Sequence, residues 1–135
     1  MKLIIAGTRT FDDYNLLKTK LNILLKNVDE EIVIVSGKAS GADTLGEDYA
    51  KEKGYGILPF PAKWSDLSVT PCKIKYNKKG EPYNALAGFN RNEEMAKIAD
   101  ACVCFYDGKS RGTADMIELA KKYKLKLRII YYDRD

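Results

Sequence analysis

The chain has 135 residues, 45% hydrophobic and 31% charged, with a formal net charge of +4. That length supports one hydrophobic core and is short for two ordinary domains, and the composition excludes a disordered or fibrous chain. The absence of histidine removes Ser-His-Asp triads, His-ligated metals and imidazole acid–base chemistry.

Residues 3–6 form an apolar run closed by Gly7, which predicts a short strand. Asp12 and Asp13 precede Leu16, Leu17, Leu21, Leu24 and Leu25, a spacing that predicts a helix with acidic capping residues. Residues 31–35, Glu-Ile-Val-Ile-Val, read as a central parallel strand buried on both faces. A helix over 40–53 follows, with Ser40 as its N-cap and Gly54 as its terminator. Residues 55–60 predict a third, weaker strand.

The stretch 63–87 breaks this rhythm with Pro71, Pro82 and Gly80. Residues 73–76 alternate polar and apolar ahead of a turn-forming 77–81, so a small hairpin is predicted. Helix, strand, helix and strand are then expected over 88–99, 101–106, 112–123 and 126–132.

Cys72, Cys102 and Cys104 are an odd count without a C-x-x-C pair, which rules out a disulfide framework or a zinc site by spacing. Cys102 and Cys104 should share one face of a strand as small hydrophobes. The first apolar run is too short for a signal peptide and no segment approaches spanning length, so a reduced, cytoplasmic protein is expected. The expected architecture is α/β. It is a Rossmann-like three-layer sandwich with a five-stranded, mainly parallel sheet, in a single domain over 1–135 with an insertion at about 63–87.

In such a sheet the carboxyl ends of the strands share one edge, where ligands bind. Gly7-Thr8-Arg9, the 36–43 segment, the turn at 61–64 and the 107–113 segment each follow a predicted strand, so they should converge there. The sharpest is Asp107-Gly108-Lys109-Ser110-Arg111-Gly112-Thr113, two glycines and two hydroxyls opening a helix. A helix N-terminus offers unpaired amides to a phosphate, and Gly112 would let it approach. An ordinary turn capped by Ser110 fits the same residues. The 36–43 segment is neither a P-loop nor G-x-G-x-x-G, since no Gly-Lys-Ser/Thr ends it. Asp43 there could accept from a ribose hydroxyl or simply favour the helix start. Arg91 is read in the first turn of its helix, where it opposes the dipole and an anionic partner would help explain it. Trp64 either stacks on a base or, the reading preferred, closes the core.

Gly7-Thr8-Arg9-Thr10-Phe11, Ser36-Gly37-x-Ala39-x-Gly41-Ala42-Asp43, Leu45-Gly46-Glu47, Arg91-Asn92 and Asp107-Gly108-x-Ser110-x-Gly112-Thr113 together resemble the YspA/YpsA-related branch of the SLOG superfamily. That superfamily also holds the LOG phosphoribohydrolases and DprA. This branch is frequent in bacteria and their phages. The resemblance implies a Rossmann-like fold that binds nucleotides or nucleotide-derived ligands. Two features depart from it. Lys38 and Ser40 replace a glycine and an arginine of the usual second loop, and the 63–87 segment is longer than in the simplest members.

The resemblance to LOG enzymes implies an alternative, cleavage of a nucleotide's N-glycosidic bond. Arg91 and Met95 match the LOG arginine and the methionine four residues on, with Arg91 and Glu47 as the catalytic candidates, or Asp43 as the carboxylate. The LOG glutamate, however, falls on Met116. Glu118 lies roughly 140° from Thr113 around the helix and Asp115 roughly 160°, against roughly 60° for Met116. A third reading is single-stranded DNA binding through the basic loop 73–79, with Tyr76 and Tyr83 as stacking surfaces.

The expected ligand is therefore a small nucleotide-type molecule, sensed or sequestered. It would be held by Gly7, Thr8, Arg9, Ser36, Gly37, Gly41, Asp43, Arg91, Asn92, Asp107, Ser110, Gly112 and Thr113. No metal or other cofactor is expected and no membrane partner. Nucleic acid is not the expected partner, and a homo-oligomer is compatible with the sequence.

Overall fold

The computed structural model describes residues 1–132. Strand β1 (Lys2–Gly7) leads to α1 (Tyr14–Leu24), β2 (Val33–Ser36), α2 (Ala42–Lys53) and β3 (Gly56–Pro59). A hairpin of β4 (Ile74–Tyr76) and β5 (Pro82–Asn84) precedes α3 (Ala87–Ile98), β6 (Ala101–Tyr106), α4 (Arg111–Lys122) and β7 (Lys126–Tyr131). The sheet runs β3-β2-β1-β6-β7 with every neighbouring pair parallel. The expected α/β Rossmann-like architecture is what the chain adopts.

Alternation along the two central strands sorts the core into two layers. Leu3, Ile5, Val103 and Phe105 face Leu17 and Leu21 of α1 and Tyr49 and Ala50 of α2. Ile4, Ala6, Cys102 and Cys104 face Met95 and Ala96 of α3 and Met116, Ile117 and Ala120 of α4. Both cysteines are buried on the same face, as their spacing predicts. Each fully buried Leu, Ile or Phe contributes about 1.5–3 kcal/mol of transfer free energy, so two filled faces hold the sheet.

Element ends follow local chemistry. Asp13 caps α1 by accepting from the Leu16 amide at 3.0 Å. Gly54 closes α2 in the left-handed conformation. The N-cap of α2 is Gly41, not Ser40, and no side chain caps it. Gly41 has φ 75°, and a Cβ there would collide with the Thr8 and Arg9 carbonyls. Glycine is needed because the start of α2 rests directly on the turn after β1.

The insertion is fastened at Asn84, which is fully buried. Its Oδ1 accepts from the Lys73 amide at 3.1 Å and the Leu86 amide at 2.9 Å, while its backbone N–H donates to the Trp64 carbonyl at 2.7 Å. One side chain thus ties both ends of the hairpin to the start of α3. Among the described residues no helix is long and apolar enough to cross a membrane.

Candidate functional site

Because β2 and β6 lie on opposite sides of β1, the chain reverses direction across the sheet at β1. A crevice opens at such a switch point beyond the strands' carboxyl ends. Thr8 joins the turns there. Its amide donates to the Phe105 carbonyl at 3.0 Å, its carbonyl accepts from the amides of Phe11 (3.1 Å) and Ala42 (3.3 Å), and its Oγ1 accepts from the Asp107 amide at 3.3 Å. The ends of β1 and β6 and the start of α2 therefore meet at one residue.

A cavity of about 500 Å³ occupies this crevice. Of the residues expected at the site, Gly7, Thr8, Arg9, Asp43, Arg91, Asn92, Asp107, Ser110, Gly112 and Thr113 line it. A second cavity of about 320 Å³ adjoins it, lined by Gly37, Lys38 and Ser40 and sharing Arg9, Ala39, Trp64 and Arg91 with the first. Ser36, Gly41 and Glu47 line neither and brace the walls instead. The Ser36 hydroxyl donates to Glu47 at 2.6 Å, and Lys38 Nζ lies 2.9 Å from the same carboxylate. Burial works against the charge on Glu47, but Ser36 and Lys38 hold its carboxyl below the ordinary range.

Arg91 is 9% exposed and lies in the second turn of α3, since the helix begins at Ala87. The first-turn placement read from the sequence is corrected accordingly. Arg91 donates from Nη1 to the Gly37 carbonyl and from Nε to Asn92 Oδ1 at 3.0 Å. Asn92 in turn donates to the Gly112 carbonyl (3.2 Å) and Asp115 (3.1 Å), which locks α3 to the start of α4. Asp43, also buried, accepts from the Ala39 amide at 3.2 Å. Burial pushes its carboxyl up to about 6, against the opposing pull of the Ala39 amide and Arg91. Lys38 has φ 60°, a left-handed backbone that glycine adopts most readily, and its side chain is spent on Glu47.

At the start of α4 the Asp107 carboxylate accepts from the amides of Lys109 (2.8 Å) and Ser110 (2.9 Å), which hold it below its usual range. Ser110 is the N-cap and accepts from the Thr113 amide (3.3 Å) and hydroxyl (3.0 Å). The amides of Arg111 and Gly112 have no partner among the described residues. A hydroxyl that accepts these two bonds still carries a proton it can donate to an entering anion. A Cβ on Gly112 would meet no atom within 4 Å.

Trp64 and Phe89, each 40% exposed, add aromatic walls, and Met95 and Met116 the floor. The preferred core role for Trp64 is thereby overturned, because its ring lies at the cavity mouth with its nearest aromatic partner Tyr83 edge-on at 6.4 Å. Phe89 and Lys109 were not among the expected site residues. Lys109 sat inside a motif already singled out, whereas nothing local marked Phe89. Met116 lines the cavity where LOG enzymes have glutamate, and Glu118 points outward to Lys121 at 3.6 Å. The carboxylates facing the cavity are Asp43 and Asp107, not Glu47.

Residues 1–66 match the model of the YspA, cpYpsA-related SLOG family. The resemblance read from the ordered motifs is borne out there. A similar relative is the Gene 61 protein of Mycobacterium phage D29, 28% identical over 127 residues that cover 90% of this chain and 89% of the phage protein. Among solved structures the chain is similar to DNA processing protein A (DprA) of Streptococcus pneumoniae, with TM-score 0.69 and 21% identity over 98% of this chain. It is also similar to Helicobacter pylori DprA, with TM-score 0.61 and 23% identity over 96%. The chain spans 50% of the pneumococcal protein and 64% of the H. pylori one. The likeness shows a shared fold. The H. pylori protein has a single-stranded DNA binding mode. The expectation that sets nucleic acid aside as a partner is therefore corrected, because a protein with this architecture binds it.

Proposed function

We propose that the crevice at the carboxyl edge of the sheet binds a nucleotide or nucleotide-derived anion, which the protein senses or sequesters. One observation carries this reading. Arg9, Arg91, Ser110 and Gly112, whose amide is unpaired among the described residues, meet around a single cavity of about 500 Å³ with Trp64 and Phe89 on its walls. That volume falls within the range of roughly 300–1,000 Å³ usual for small-ligand sites. Cations and helix-start amides would hold the phosphate, and the aromatic and methionine walls would take the base. Calorimetric titration with nucleoside monophosphates tests it: saturable binding is expected, and no heat from any of them at millimolar concentration would remove the reading.

Single-stranded DNA binding is a second reading, favoured by the hairpin. Tyr76 is 68% exposed and Ile74 51%, among exposed Lys73, Lys75, Lys78 and Lys79. Tyr83 is packed edge-on against Trp64, so of the two tyrosines Tyr76 is the open one. An open aromatic amid lysines is the combination that stacks bases while tracking a backbone. Binding of a labelled oligonucleotide should then weaken steeply with salt, by about 0.7 in logarithmic slope per phosphate contact. A flat salt response, or unchanged affinity in Tyr76→Ala, would count against it.

A further inference from the structure

We propose that the two adjoining cavities are one bilobal site, shaped for two nucleoside units joined through a phosphate linkage. This rests on the nucleotide reading above and narrows it to a ligand class. The larger chamber, about 500 Å³, and the smaller, about 320 Å³, share Arg9, Ala39, Trp64 and Arg91 as a common wall. Each chamber alone lies within the range of roughly 300–1,000 Å³ for a small-ligand site. A mononucleotide seated against the start of α4 would leave the second chamber to solvent.

Charge distinguishes the two lobes. The first balances Arg9, Arg91 and Lys109 against Asp43 and Asp107, whereas the second is lined by Arg9, Lys38 and Arg91 with no carboxylate. Lys38 is paired with Glu47, and Arg91 is bonded to the Gly37 carbonyl beside Asp43. Arg9 is therefore the cation of the second lobe left uncommitted, enough for one further negative charge on the ligand. Arg9 sits on the shared wall, and its guanidinium makes no hydrogen bond or ion pair among the described residues. A planar guanidinium with all its donors uncommitted is suited to a phosphodiester or pyrophosphate passing from one lobe to the other. Trp64, half-open on the same wall, offers a ring to either base.

The test compares a nucleoside monophosphate, a phosphodiester-linked dinucleotide, a pyrophosphate-linked dinucleotide and a long oligonucleotide by calorimetry on the full chain. At least one dinucleotide should bind about tenfold tighter than the monophosphate, the gain from one added charge-assisted contact. Ala62→Trp, which fills only the second lobe, should abolish that gain and leave monophosphate affinity unchanged. Ser40→Trp, from a different turn of the same lobe, serves if Ala62→Trp unfolds. Equal affinity for monophosphate and both dinucleotides overturns the bilobal site while leaving the nucleotide reading intact. Absence of binding by all four ligands removes both. Affinity that keeps rising from dinucleotide to oligonucleotide overturns the two-unit ligand in favour of a strand.

Discussion

Arg91 reaches 54 residues back along the chain to donate to the Gly37 carbonyl, and a Cβ on residue 37 would sit 2.7 Å from the donating nitrogen. The same Cβ would be 2.8 Å from Asp43 Oδ2. Glycine at this position is therefore what admits the buried arginine and carboxylate side by side.

Gly37→Ala should lower stability by about 1–3 kcal/mol, the usual cost of overpacking, since Arg91 is pinned at Nε and cannot swing aside. In an Arg91→Ala background the same substitution should cost less, giving a coupling energy of about 0.5–3 kcal/mol. Urea denaturation of the four variants measures it, and additive losses would contradict the packing account.

Gly112 is the opposite case. It lies in the first turn of α4 and nothing approaches its missing side chain. Gly112→Ala should stabilise the fold by about 0.4–1 kcal/mol through the unfolded chain while weakening a phosphate ligand about tenfold or more by filling its approach. Thermal melting and a nucleotide titration on one sample separate the effects. Undiminished affinity would mean that no phosphate comes near this turn.

Ser110 can be tested without disturbing its cap. Aspartate caps helices about as well as serine, so Ser110→Asp should keep the bond to the Thr113 amide and shift the melting temperature little. A carboxylate beside the unpaired Arg111 and Gly112 amides would instead repel an anionic ligand. Loss of binding with an intact melting curve is the expected result; retained binding would place the anion elsewhere.

The sheet, its order and its two buried faces were legible because strand runs of one period and helices of another are written locally. Convergence of the turns after β1, β2 and β6 was legible too, since parallel topology fixes which ends meet. Division of labour within those turns was not. Ser36, Asp43 and Glu47 are all polar residues of one segment, yet Asp43 faces the cavity while Ser36 and Glu47 bond to each other behind it. The partner of Arg91 is a carbonyl on another element, and a carbonyl has no sequence signature. Removing Arg91 should accordingly cost stability as well as affinity, contrary to a reading of it as a ligand contact alone.

Asp43 ties both stability and anion affinity to pH. Its carboxyl is raised by burial from 3.8 to about 6. A group that holds its proton more tightly when folded favours the fold at low pH, and that advantage disappears as pH rises from about 4 through 6. Above pH 6 the buried charge costs on the order of 3 kcal/mol. Asp43→Asn should therefore match the parent protein near pH 4 and exceed it in stability at pH 7 and above. The charged groups acting on Asp43 are Arg91 from α3, Arg9 from the turn after β1 and Glu47 from α2, and Asp43 itself acts on Cys102 of β6. At neutral pH the carboxylate offsets the two arginines that an anion would use. Affinity for a phosphodiester-linked dinucleotide, whose own charge is constant over this range, should rise as pH falls through 6. In Asp43→Asn it should be high and flat. A parent profile without that rise would detach Asp43 from the binding of the anion, because no charge could then be lost next to the ligand without the ligand responding.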